Sequence, residues 1–228
     1  MNDPTVTLRA RLREATQPAH LRLEAGLRLL EEPLNEARVL RLLARFHGFH
    51  AAWEPALRGV IPTHLLKARL KLPLLERDLR ILGAADDFLR GLPACLEAAS
   101  FCRSEASAAG SLYVLEGSTL GGKVINRLLS GAPWYPARGL AYWDPYGADT
   151  GKRWKETLGY LESLPPGWSD EVIASACATF DLLHSWLLAQ PRQPERPLPE
   201  PLLPECLVSE SLMPELPTSG SLLQDGHR

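Results

Sequence analysis

The sequence predicts an all-α fold: one helical domain over residues 1–190, followed by a proline-rich tail over 191–228. Three observations predict it. Leu, Ala, Arg and Glu are abundant, and all are good helix formers. The period-2 runs of Val, Ile, Thr and Tyr that mark strands are missing. From Pro191 to Pro217 proline recurs every few residues, which denies that stretch any regular hydrogen-bonded ladder, so it reads as disordered or loosely docked. The chain has 228 residues, 45% hydrophobic and 23% charged, enough apolar material for a single core of useful size.

Taken in order, a first helix is predicted over residues 5–31. A second follows Pro33, with Asn35 as its cap, and carries Leu40, Leu43, Phe46 and Trp53 toward Val60. Shorter helices are predicted at 63–71 and 73–82. Pro93 opens a long helical stretch that reaches Leu129 and stops at Gly131-Ala132-Pro133. Residues 133–148, WYPARGLAYWDPYGAD, mix aromatic residues with Pro and Gly and read as an ordered loop whose aromatic residues pack or line a pocket. Helices at 149–164 and 169–189 complete the domain, the last opened by Ser169, Asp170 and Glu171, whose charge suits a helix N-terminus.

The formal net charge of −2 gives no electrostatic reason to expect nucleic acid or an anionic membrane as partner. No apolar run approaches the ~20 residues that span a bilayer, and the charged first thirty residues do not read as a secretory signal. A cytoplasmic location is expected. Cys95, Cys102, Cys177 and Cys206 form no C-x-x-C pair and read as small core residues or free thiols.

Two constellations carry chemistry. The first is His20 with Glu24, one helical turn on. A carboxylate that accepts the Nδ1 proton fixes the tautomer and leaves Nε2 free for a metal. Arg13 and Arg9 lie about two and three turns earlier; at ~1.5 Å rise per residue, seven residues span about 10 Å, so an arginine there could pair carboxylates of a ligand held by His20. Pro18 either kinks this helix or sits in the first turn of a new one capped by Thr16. The competing reading is an ordinary solvated His–Glu pair, which is the commoner outcome for this spacing alone.

The second constellation is AAGSLYVLEGSTLGGKVINRLL, which has helical periodicity yet holds Gly117, Gly121 and Gly122 within six residues. Each interior glycine costs ~1 kcal/mol relative to alanine, about 3 kcal/mol together, against a net domain stability of ~5–15 kcal/mol. Gly117 and Gly121, four apart, open one strip of bare backbone. Either another helix packs closely there, or the backbone lies flat against a ligand. The residues alone leave both open.

Together the two segments resemble a known family. YVLEGSTLGGKVI is similar to the distal-helix signature of haem oxygenases, those of bacteria in particular, and EATQPAHLRLE to their proximal segment, about a hundred residues apart as in that family. The resemblance covers roughly residues 5–190. It implies a haem oxygenase-like fold with haem, both substrate and cofactor, between a proximal and a distal helix. His20 would ligate the iron, and Glu24 would orient it. Gly117, Ser118, Gly121 and Gly122 would form the oxygen-side wall, with water near Ser118 and Thr119 supplying protons. Arg13 and Lys155 would pair the propionates, with Arg153 as a rival to Lys155. The implied reaction cleaves haem with O2 to biliverdin, carbon monoxide and ferrous iron. Electrons would come from an external ferredoxin or reductase, because no flavin or nicotinamide fingerprint is present, and a biliverdin-accepting protein would be a further partner. Ser118 stands where several members carry an aspartate that organises distal water, and Gly159 where some carry a further basic residue.

Rival readings keep the fold and change the chemistry. A non-catalytic haem carrier or sensor would share the pocket without turnover. A thiaminase-type hydrolase or a di-iron carboxylate protein would use no haem, but a di-iron bundle needs paired Glu-x-x-His motifs, which are missing. His47 and His50 share a helix face without such a frame and read as satisfied core or groove histidines.

Overall fold

In a computed structural model of the chain, residues 7–29 and 34–189 are described. The proline-rich segment and Cys206 lie outside them. Among the described residues the architecture is helical throughout, with no strand and one isolated bridge, Arg58 to Ile61. The helices are α1 (Leu8–Leu27), α2 (Glu36–Ala56), α3 (Thr63–Leu66), α4 (Leu72–Ile81), α5 (Asp86–Arg90), α6 (Glu105–Leu129), α7 (Thr150–Glu162) and α8 (Ser169–Leu188).

The caps follow the local sequence. Thr7 caps α1 by accepting from the Ala10 amide, and Asn35 caps α2 by accepting from Arg38. Helix α1 runs unbroken through Pro18 and stops at Arg28 in the left-handed conformation, its amide bonded to the Glu24 carbonyl. Thr16 therefore starts no new helix. Its buried hydroxyl donates to the Leu12 carbonyl at 2.7 Å, and the exposed Pro18 forfeits only its own bond to the preceding turn. The stretch expected to be helical from Pro93 is divided: a 3-10 segment, Leu96–Cys102, precedes α6, which begins in a capping box of Ser104 and Ser107. Helix α5, unforeseen in the sequence, is a single turn closed by Gly91.

Helix α8 is the central member, with α1 and the first half of α6 packed along it. Leu12, Leu112, Leu115, Val172, Ala176 and Leu183 fill that junction. Gly110 lets the α6 and α8 backbones touch, because a Cβ there would collide with the Val172 carbonyl oxygen. Helix α2 backs α6, and the Trp53 indole donates to Ser111 Oγ at 2.9 Å. The wholly buried Asp78 on α4 accepts the amides of Ala141 (3.0 Å) and Tyr142 (2.7 Å), which pins the 133–148 segment against the bundle. Cys95 and Cys102 are buried free thiols, pushed up by burial to about 11 and about 12, and Cys177 is a half-buried one. Among the described residues no helix is long and apolar enough to cross a membrane.

Candidate functional site between α1 and α6

On α1 the residues Arg9, Arg13, Thr16 and His20 recur at three- and four-residue spacing, so they share one face. The His20 side chain is half-exposed. Its ring stands edge-on to Phe180 of α8, centroids 5.4 Å apart. Glu24 reaches the imidazole as its spacing predicts, but through the other nitrogen: Nε2 lies 3.4 Å from Glu24 Oε1. This corrects the expectation that Nδ1 faces the carboxylate. With no other partner, the outer nitrogen of an exposed ring takes the nearest acceptor, and a turn about χ2, a broad two-fold torsion, exchanges the two.

One turn before His20, the Tyr113 hydroxyl of α6 hydrogen-bonds with the Thr16 hydroxyl, and Arg9 and Arg13 stand close enough to act on it. Burial pushes the Tyr113 phenol up, partly offset by Thr16 and the two arginines. This contact is where the His20 face of α1 meets the glycine face of α6. Helix α1 stays on α8 through the Arg11–Asp170 ion pair (2.6 Å), the Arg22–Asp181 pair, and Gly26 beneath Leu188. The second half of α6 packs on the 133–148 segment, held by Asn126 to Tyr135 and by Lys123 to the Gly147 carbonyl. Beyond the Thr16–Tyr113 contact, His20 follows Thr16 by one turn on α1, and Gly117 and Gly121 follow Tyr113 by one and two turns on α6.

The glycines of α6 meet three different surroundings. A Cβ on Gly122 would collide with the Trp143 carbonyl, so this glycine serves close backbone packing. A Cβ on Gly117 would lie 3.5 Å from the Trp154 ring of α7, which itself packs on Tyr113 with centroids 5.5 Å apart. Gly121 faces open space, with no atom within 4 Å of its Cβ position. Around it Leu120, Val124 and Leu128 are 45%, 49% and 58% exposed. At 3.6 residues per turn these three and Gly121 share one side of α6. An apolar helix side left uncovered beside a glycine marks a surface built to receive something.

Ser118, exposed at the edge of this face, donates its hydroxyl proton to the Leu115 carbonyl at 2.9 Å. Thr119 lies on the opposite, buried side of α6 from Gly121, its hydroxyl on the Glu116 carbonyl, not beside Ser118 at the exposed face. Lys155 is exposed on α7 next to Trp154. Arg153 turns the other way, to Glu156 Oε2 at 3.1 Å. It lines a separate cleft of about 860 Å³ together with Arg69, Glu105, Tyr160 and the exposed Gly159.

Behind α6 lies a buried charged cluster that the sequence did not single out. Lys71 Nζ donates to Glu116 Oε1 (2.6 Å) and to the Leu115 carbonyl (3.1 Å). Arg69 stands 3.3 Å from Glu116 Oε2, and the Tyr146 hydroxyl donates to the same carboxylate. Glu54 accepts from His50 Nδ1 (2.9 Å) and from the amides of Lys71 and Leu72. Burial holds the His50 imidazole below its usual range, and so neutral, against the pull of Glu54. His50 is thus the satisfied core histidine expected, while His47 keeps an unpartnered buried Nδ1. The signal available was HAAWE, the same His-x-x-x-Glu spacing as His20 and Glu24. Among the described residues no three His, Cys, Asp or Glu side chains converge as a metal site.

Comparison with known proteins gives one consistent group. The chain is 32% identical over 157 residues to the haem oxygenase of Xanthomonas campestris, a stretch that covers 67% of this chain and 90% of that one. Its fold is similar to the haem oxygenase of Leptospira interrogans, with a TM-score of 0.66 at 19% identity over 81% of this chain and all of that one. It is also similar to haem oxygenase-2 of Synechocystis in complex with haem and NO, with a TM-score of 0.64 at 18% identity over 80% and 84% of the two chains. No protein-family profile matches.

Proposed function

The chain belongs to the haem oxygenase family, and on that premise we propose that it binds haem in the slot between α1 and α6 and cleaves it with O2 to biliverdin, carbon monoxide and ferrous iron. The observation that carries this reading is the uncovered face of Gly121, Leu120, Val124 and Leu128 on α6, beyond the Tyr113–Thr16 contact that joins α6 to the His20 face of α1. A planar apolar ligand fits the space an added side chain would fill.

Each residue then has a task. His20 turns from Glu24 and offers Nε2 to the iron, while Glu24 takes the Nδ1 proton and fixes the ring. Gly121 brings bare backbone against the macrocycle, and the three apolar side chains around it exclude water. Gly122 and Gly117 keep the helix flush with Trp143 and close under Trp154. Arg13, beside the Thr16–Tyr113 contact that closes one end of the slot, pairs a propionate, and Lys155 pairs the other. Ser118 donates its hydroxyl hydrogen bond to the Leu115 carbonyl, so its lone pairs are free to accept from water at the slot edge, the part an aspartate plays elsewhere in the family. Haem supplies the iron and the ring that is oxidised. Electrons come from an external ferredoxin or reductase.

Titration of the purified protein with hemin, followed by reductant in air, tests the proposal. A saturable Soret band that decays to biliverdin is expected, and His20→Ala is expected to abolish the decay until imidazole is added. Full turnover by His20→Ala without imidazole would refute the ligand assignment. A stable Soret spectrum with no biliverdin would make the protein a haem carrier or sensor.

A further inference from the structure

Lys71 is a buried cation with two acceptors, Glu116 Oε1 at 2.6 Å and the Leu115 carbonyl at 3.1 Å. The Glu116 carboxylate already has Arg69 at 3.3 Å and two contacts from the Tyr146 hydroxyl. Burying an ammonium has a desolvation cost that an apolar side chain in the same place would not carry. Beyond its ion pair with Glu116 and its place over the Tyr146 ring, Lys71 reaches the Leu115 carbonyl, 3.1 Å from Nζ. That oxygen is also the acceptor of the Ser118 hydroxyl, at 2.9 Å. One carbonyl oxygen of α6 therefore takes a donor from the buried cluster on one side and from the slot edge on the other. It lies in the turn immediately before Gly117–Gly122, where the helix has least intrinsic stiffness. A serine that bonds back to a carbonyl of its own helix already favours a local bend there.

We propose that Lys71 is a positioning residue: acting through the Leu115 carbonyl, with Glu116 holding its ammonium in place, it fixes the Ser118 hydroxyl and the path of the Gly117–Gly122 turn along the slot. The proposal rests on the haem reading for its consequence, that Lys71 governs which meso edge is cleaved, but not for the clamp itself. Lys71 touches nothing in the slot. Its influence passes through one backbone oxygen.

The experiment has two arms. In the first, hydrogen exchange of the ligand-free protein is compared for wild type, Lys71→Met and Lys71→Arg. Lys71→Met is expected to accelerate exchange of the 117–124 amides about tenfold with little change elsewhere, and Lys71→Arg, which can reach both oxygens, to restore it. Lys71→Gln, which keeps a neutral amide donor group on a shorter side chain, replaces Lys71→Met if that variant does not fold and is expected to give a severalfold acceleration. In the second arm, the ratio of biliverdin isomers is measured for Lys71→Met, Ser118→Ala and the double variant. Each single change is expected to shift the ratio at least threefold, and the double no further than either alone, because both act on one oxygen. Unchanged exchange at 117–124, or isomer effects that multiply in the double variant, would overturn the proposal. Failure of wild type to bind hemin would remove the haem reading while the exchange arm still decides the clamp.

Discussion

Gly121→Ala is the perturbation that separates a ligand face from a packing face, because stability and binding should move in opposite directions. No atom lies within 4 Å of the Cβ position, and the residue is interior to an exposed stretch of α6. Replacing glycine with alanine in such a helix position stabilises by about 0.5–1 kcal/mol. For a domain of this size that raises Tm by roughly 1–4 °C. If the macrocycle lies against this backbone, the new methyl occupies its space. Overpacking of that kind costs about 1–3 kcal/mol, which at 1.4 kcal/mol per tenfold weakens hemin binding by about 5- to 150-fold. Thermal melting of the ligand-free protein and a Soret titration measure the two effects on one sample. Gly122→Ala is the control: its Cβ collides with the Trp143 carbonyl, so it should destabilise the free protein. A Gly121→Ala protein that melts higher and binds hemin as tightly as wild type would show that the uncovered face is not where the ligand sits.

Gly110→Ala should destabilise by about 1–3 kcal/mol or more, read by denaturant midpoint, because its methyl would be driven into the Val172 carbonyl across the α6–α8 junction. Lys155→Ala should weaken hemin binding by up to about fivefold, the scale of an exposed charge pair, whereas Arg153→Ala, whose guanidinium is turned to Glu156, should leave it unchanged; equal effects would reject Lys155 as the propionate partner. Stability should fall as pH drops below 6.5, the ordinary value of an unfolded imidazole, since burial lowers the folded-state value of His50, with His47 lowered in the same direction, and the unfolded chain then binds the extra proton. Denaturant midpoints at pH 7.5 and 5.5 check this, and His50→Gln, which keeps a donor for Glu54, should reduce the acid loss.

The helices were legible because their signals are local: the Asn35 cap, the stop at Gly131-Ala132-Pro133, and the acidic opening after Ser169. Helix α5 and the 3-10 break before α6 were not, because a single turn carries no measurable periodicity and the capping box at Ser104 is buried in a run of small residues. Pro18 left two readings open for a different reason. Whether a helix runs on through a proline depends on what else holds it, and here part of that support is Asp170 of α8, 159 residues from Arg11. The candidate site shows the same limit more sharply. Gly117, Gly121 and Gly122 are one residue type in one motif, yet one lies under an indole, one is open and one is pressed on backbone. His20–Glu24 and His50–Glu54 share a spacing, and only the fold distinguishes the half-exposed pair from the wholly buried one. The cluster around Glu116 joins residues 69, 71, 116 and 146, which no local pattern connects.

Because the second half of α6 rests on the 133–148 ribbon, the clearance for a guest against its uncovered face would be governed from the far side of the helix. The ribbon is tethered by Asp78 and Asn126, and Gly122 rests directly on its backbone. Lengthening or loosening that ribbon would widen the mouth without altering any residue that lines it. Redesign toward bulkier tetrapyrroles should therefore begin at Trp143 and its neighbours rather than at the glycines themselves.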